Sequence, residues 1–117
     1  MARCDQGYIC EVCGEEVEDI RVSDLYLRYV IGEVPVRELL ATRERHIRCN
    51  PVMAQFIVHE DFAPVIVEGD FDRRMFEPSD MQPRIDLITR GWLRLQELAE
   101  QAQSIPLPEY PLPEFRG

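Results

Sequence analysis

CEVCG, residues 10–14, sets two cysteines three positions apart and closes on a glycine. Three chemistries use such a pair: a disulfide, a redox-active dithiol, or half of a metal site. A redox dithiol opens a long helix after a strand. This pair runs instead into the acidic stretch Glu15, Glu16, Glu18 and Asp19, which reads as a solvated loop face. A structural disulfide needs an oxidising compartment. The start MARCDQGYIC has neither the basic end nor the apolar stretch of a signal peptide, so the expected location is cytoplasmic, where thiols stay reduced. That leaves a metal site, and Gly14 permits the tight turn in which backbone amides point back at the sulfurs.

The chain supplies a second pair at the same spacing, His46 and Cys49, in HIRCNPVMAQFIV, residues 46–58. Asn50 followed by Pro51 is a capping residue and then a residue pre-set in φ. The combination predicts a helix over about 51–58, with Cys49 just before it, where backbone amides favour a thiolate. Zinc takes four sulfur or nitrogen ligands in a tetrahedron, and a tight turn can supply two of them. Cys10, Cys13, His46 and Cys49 are therefore the expected ligands of a Zn2+ ion, with Cys4 the alternative to His46 as the fourth. Three thiolates and a neutral imidazole leave such a site with one excess negative charge, which Arg43, Arg45 and Arg48 stand close enough in sequence to offset. Four protein ligands close the coordination sphere, which makes the metal structural.

CEVCG, then HIRC running into NPVMAQFIV, resembles a treble-clef zinc module, in which a zinc knuckle gives one ligand pair and a helix N-terminus the other. The likeness covers residues 8–58. It implies a fold more than an activity, because this architecture serves many functions.

Working outward, SDLYLRYVIG, residues 23–32, predicts a short helix capped by Ser23 and ended by Gly32, with Leu25, Tyr26, Tyr29 and Val30 turned inward. PVRELLAT, residues 35–42, predicts a second one that buries Val36, Leu39 and Leu40. APVIVEG, residues 63–69, is the best strand. His59, Glu60 and Asp61 read as surface. From about 79 to 103 one long helix is expected, started either by Ser79 with Gln82 or by Gln82 before Pro83. Met81, Ile85, Ile88, Trp92, Leu95, Ala99 and Ala102 form a heptad seam along it, with the pairs Asp86–Arg90 and Arg94–Glu97 on its solvated face. Gly91 costs helix stability and so implies a close approach by another element. The tail, 104–117, repeats PLPEY and PLPEF and should run as polyproline II without adding to the fold. The expected architecture is an α+β zinc-stabilised domain over 1–103, with short helices, a short strand or hairpin and a long C-terminal helix, followed by the proline-rich tail.

At 117 residues the chain buries one modest core. No apolar run reaches the length of a membrane span. All 13 basic residues are arginine, which removes lysine Schiff-base chemistry and the phosphate-loop lysine. A net charge of −9 argues against a nucleic-acid coat. The expected function is therefore that of a non-enzymatic zinc-binding module that recognises a protein partner, or a second copy, through the helix around Trp92. Two alternatives rank below it. A nucleic-acid-binding regulator would use residues 37–48, where Arg37, Arg43, Arg45 and Arg48 oppose only Glu38 and Glu44. A nuclease-like enzyme would need an open metal position and a basic groove, and neither is visible in the sequence.

Overall fold

The computed structural model describes residues 8–101 and 104–116. Its elements are a minimal antiparallel hairpin, β1 (Tyr8–Ile9) and β2 (Glu16–Val17), and three helices, α1 (Asp24–Val30), α2 (Pro51–Ala54) and α3 (Pro78–Gln101). Tyr8 pairs with Val17 and Ile9 with Glu16. The result is a mixed fold dominated by helix.

α1 forms as its sequence dictates. The Ser23 hydroxyl accepts from the Tyr26 N–H at 3.1 Å, and Gly32 takes φ +83 just past the end of the helix. Leu25, Tyr26, Tyr29 and Val30 are all buried. α3 lies across α1, and Gly91 marks the crossing. A Cβ built there would sit 2.5 Å from Ile31 Cγ2 and 3.0 Å from Leu27 Cδ1. The approach inferred from this glycine is thus the α1–α3 contact itself.

The heptad seam is used inside the chain. Ile85, Ile88, Trp92 and Leu95 are buried and Met81 and Ala99 half-buried, while Ala102 lies outside the described residues. Leu98, which the seam omits, is fully buried. α3 begins at Pro78 rather than at either expected start, with the Glu77 carbonyl accepting from the amides of Asp80 and Met81. Pro83 therefore sits within the helix, where it gives up the bond to the exposed Ser79. Arg94 pairs with Glu97, but Arg90 reaches Glu114 instead of Asp86.

Three expectations change. Residues 36–38 make a single 3-10 turn that buries only Leu39, leaving Val36 and Leu40 exposed, because one turn presents one side chain inward. α2 stops at Ala54 and unwinds through 3-10 type bonds, Phe56 N–H to Met53 and Ile57 N–H to Ala54, which brings both Phe56 and Ile57 into the core. Residues 63–68 do not form a strand, since no described backbone segment makes ladder hydrogen bonds with them.

The tail also differs from its expectation. Each PLPE unit folds into a 3-10 turn, Leu107–Glu109 and Pro113–Phe115. Tyr110 is buried against Tyr26 and Tyr29, and Leu112, also buried, donates its N–H to Val30 at 3.0 Å. The Tyr29 hydroxyl donates to the Leu107 carbonyl at 2.8 Å, and the Phe115 ring packs on Gly32. The repeat thus delivers one aromatic per unit to the end of α1, and residues 104–116 belong to the domain.

Candidate metal centre

The knuckle is built by backbone bonds around the first pair. At the end of β1 the Cys10 N–H donates to Glu15 at 2.8 Å, and its carbonyl accepts from Gly14, at φ +79, at 3.0 Å. Cys10 is almost wholly buried and Cys13 exposed. The second pair sits on a 3-10 turn, Ile47–Cys49, with His46 in front of it. Residues three apart eclipse in that geometry, which puts His46 and Cys49 on one side. The Cys49 N–H donates to the His46 carbonyl at 3.0 Å. Asn50 does not cap α2 with its side chain; its amide donates to Asp24 instead.

The turn is placed by a buried carboxylate. Asp24, fully buried at the start of α1, accepts from Arg28 at 2.9 Å, Arg45 at 3.0 Å and Asn50 at 3.0 Å, and its N–H donates to the Arg45 carbonyl at 2.8 Å. Ser23 forms a bridge with His46, and its hydroxyl donates to Glu44 at 2.7 Å. The Glu44 carbonyl in turn accepts from the Glu11 N–H at 3.0 Å, which ties the knuckle to the ligand turn. Sequence reasoning missed Asp24 and Glu44. Their only early signal was a position beside residues already singled out.

The donor atoms of Cys10, Cys13, His46 and Cys49 all lie within 4.8 Å of one another. Sulfurs on a tetrahedral zinc, with bonds of about 2.3 Å, stand about 3.8 Å apart, so a small contraction closes the set around an ion. His46 Nε2 lies 2.8 Å from the Glu16 carbonyl, which can only accept. The proton is therefore on Nε2, with Glu18 at 3.5 Å. Nδ1 is the nitrogen left to offer a lone pair to a cation, and it faces Cys13 Sγ at 3.4 Å and Cys49 Sγ at 3.8 Å. Donor types, spacing and tautomer all fit a divalent zinc ion. Among the described residues this is the one such group, and Cys4 lies outside them.

Taking the protein groups alone, the four ligands differ in charge. Burial opposes ionisation of Cys10, but the N–H groups of Cys13, His46 and Val12, and then the Cys49 thiol, outweigh it and lower its pKa to about 6. Burial works against protonation of His46, and the Glu16 carbonyl followed by the sulfurs of Cys10 and Cys13 raise it to about 9. Burial and the neighbouring Cys10 and Cys13 push Cys49 up to about 11. The helix-end effect expected for Cys49 is overridden by its neighbours. A cation replaces this proton-held balance by drawing all three sulfurs toward thiolate.

Two of the three arginines expected to offset the site are engaged elsewhere, and the third, Arg43, is exposed. Arg45 serves Asp24, with Glu11 at 3.8 Å, and Arg48 donates to Ala63 at 2.8 Å and lies 4.2 Å over the Phe62 ring. Beside the ligand turn is a hollow of about 430 Å³ with a floor of Ile47, Phe62 and Trp92 and with Arg21 and Arg48 at its rim. The His59 ring lies tilted by 50° against Trp92, centroids 5.1 Å apart, with its Nδ1 accepting from the Asp61 N–H. No described helix is long and apolar enough to cross a membrane. Comparison with protein-family models, curated proteins and solved structures finds no match.

Proposed function

We propose that Cys10, Cys13, His46 and Cys49 hold one structural zinc ion in a treble-clef-like arrangement, and that the protein is a non-enzymatic interaction module. The observation that carries the reading is the convergence of three sulfurs and the Nδ1 of a tautomer-fixed histidine from two separate turns. With four protein donors the ion has no position left for substrate, so its contribution is to hold the hairpin against residues 44–50. The partner surface we assign is the hollow beside Trp92, with its apolar floor of Ile47, Phe62 and Trp92. The nucleic-acid reading ranks lower because Arg45 and Arg48 of the 37–48 stretch already serve internal acceptors.

Native mass spectrometry of protein purified under reducing conditions tests the metal assignment, with one zinc per chain expected. His46→Ala should lower zinc retention and thermal stability together, and Cys4→Ser should leave both unchanged. Loss of zinc on Cys4→Ser with retention on His46→Ala would establish an all-cysteine site. Metal-free protein that is folded and stable would overturn the assignment.

A further inference from the structure

Within the segment predicted as the best strand, residues 64–67 have no backbone hydrogen-bond partner among the described residues. Residues 64–68, Pro-Val-Ile-Val-Glu, alternate strictly: Val65 and Val67 are half-buried, Val65 packed on the core, while Pro64, Ile66 and Glu68 face outward, Ile66 at 70% exposure. This is the side-chain pattern of a strand lying on a core. Among the described residues, none of the N–H groups of Val65–Glu68 donates to another backbone group, and none of the carbonyls of 64–67 accepts from one. A β-branched run of this kind with open edges is a template for strand pairing.

We infer that this segment pairs with the same segment of a second copy, as two antiparallel strands across a two-fold axis at Ile66. The occupant follows from the chemistry. A row of alternating donors and acceptors is matched by another extended backbone, and an antiparallel strand paired with its own copy is two-fold symmetric, as the commonest dimers are. The register is self-consistent. Val65 meets Val67, Ile66 meets Ile66, and Pro64 meets Glu68, so no like charges face one another. The copy's Glu68–Asp70 stretch then arrives beside Ala63, whose carbonyl holds the Arg48 guanidinium, an opposite charge. Pro64 stands at the first position, where a strand tolerates proline. Apolar exposure continues along the same stretch, with Phe71 63% and Met75 66% exposed. The heptad seam is buried within the chain and is not needed for this contact.

The inference deepens the interaction reading, and the two fail separately: a folded, zinc-loaded protein that stays monomeric overturns the inference alone. Sedimentation of zinc-loaded protein from about 1 to about 200 µM should show a monomer–dimer equilibrium. The equilibrium should tighten between about 0.1 and about 0.5 M NaCl, because each copy carries −9 and added salt screens the repulsion. Ile66→Pro deletes an N–H that the monomer does not use, so it should keep zinc and fold while raising the dissociation constant at least about tenfold. Ile66→Thr, still β-branched, should keep the dimer, and so should Leu40→Ser at a more exposed site (89%). Amide exchange of the wild type gives a second readout independent of any variant: the amides of Ile66 and Glu68, which point to the paired edge in this register, should gain protection as concentration rises. A wild type monomeric across this range, a dimer indifferent to Ile66→Pro, or exchange at Ile66 and Glu68 indifferent to concentration would each overturn the inference.

Discussion

Gly91→Ala sets two known effects against each other at one atom. In an exposed helix interior, alanine is worth about 1 kcal/mol over glycine. Here the new methyl would stand 2.5 Å from Ile31 Cγ2 and 3.0 Å from Leu27 Cδ1, where carbon atoms prefer about 3.5 to 4.0 Å. Ile31 is 2% exposed and Leu27 0%, so neither can swing into solvent, and a β-branched side chain has little rotamer freedom with which to withdraw Cγ2. α3 must therefore lift from α1 by a large part of an ångström, at an overpacking cost of about 1–3 kcal/mol. The net is a loss of about 1 kcal/mol, which in a domain of this size lowers the midpoint by about 4 °C. Thermal unfolding followed by circular dichroism, in excess zinc to hold the metal contribution constant, measures it. Ile31→Leu moves the branch away from Cβ and should relieve the clash, so Gly91→Ala should cost less, or even stabilise, in that background. A raised midpoint in the wild type, or an equal effect in both backgrounds, would refute the steric argument.

Other changes test the remaining parts of the frame. Asp24→Ala leaves Arg45 and Asn50 without their buried acceptor and should cost about 3–5 kcal/mol, lowering zinc affinity at the same time; denaturant unfolding with a zinc-competition titration reads both, and unchanged affinity would detach Asp24 from the ligand turn. Leu112→Ala should cost about 3 kcal/mol in denaturant unfolding, since the residue is 6% exposed; a loss below about 0.5 kcal/mol would return the tail to the periphery. Glu44 is raised above its usual pKa by burial, against which the Ser23 hydroxyl and the Arg45 backbone work. A carboxyl raised in the folded state favours folding at low pH and loses that contribution as pH climbs through its folded value. Glu44→Gln, which keeps an oxygen for Ser23, should therefore raise the midpoint at neutral pH, with the gain vanishing as pH falls toward about 4.3; a variant less stable than wild type at pH 7 would contradict this.

What the sequence made legible follows from how local each signal is. Ser23 and Gly32 bound α1 through contacts within a few residues, and both ends are where the caps require. The paired spacings Cys10–Cys13 and His46–Cys49 each need only one turn, so the four donors could be named before their convergence was visible. Other features depend on distant partners. Residues 63–69 have strand-forming side chains, but a strand also requires a neighbour, and composition cannot report one. PLPEYPLPEF reads locally as polyproline, yet Tyr110 and Leu112 leave solvent for a tyrosine cluster and a carbonyl on α1 that lie about 80 residues earlier in the chain. The buried Asp24 was hidden for the same reason, because its three side-chain donors come from Arg28, Arg45 and Asn50.

That carboxylate joins two parts of the molecule with different sources of stability. The α1–α3 pair, closed by Tyr110 and Leu112, has an apolar core of its own. The knuckle does not: β1 and β2 contribute two residues each, and between residues 8 and 17 only Cys10 and Val17 are deeply buried among those whose burial is described. A two-stranded hairpin of this length is not stable alone. Its polar attachments to the rest, among the described residues, are the Glu11–Glu44 bond, the bond from Nε2 of His46 to Glu16, the weak bond from the His46 N–H to the Cys10 sulfur, a loose Glu11–Arg45 ion contact at 3.8 Å and the four-donor cluster. The first three each contribute about 1 kcal/mol at most, less than the cost of ordering ten residues. A metal ion held by the four donors would supply the missing cohesion, and Asp24 would pass it on, because it fixes the His46–Cys49 turn to the first residue of α1. The cluster is thus coupled to the helical core through one buried side chain, and the part of the molecule with most to gain from an ion is also the part in which Cys13 is open to solvent.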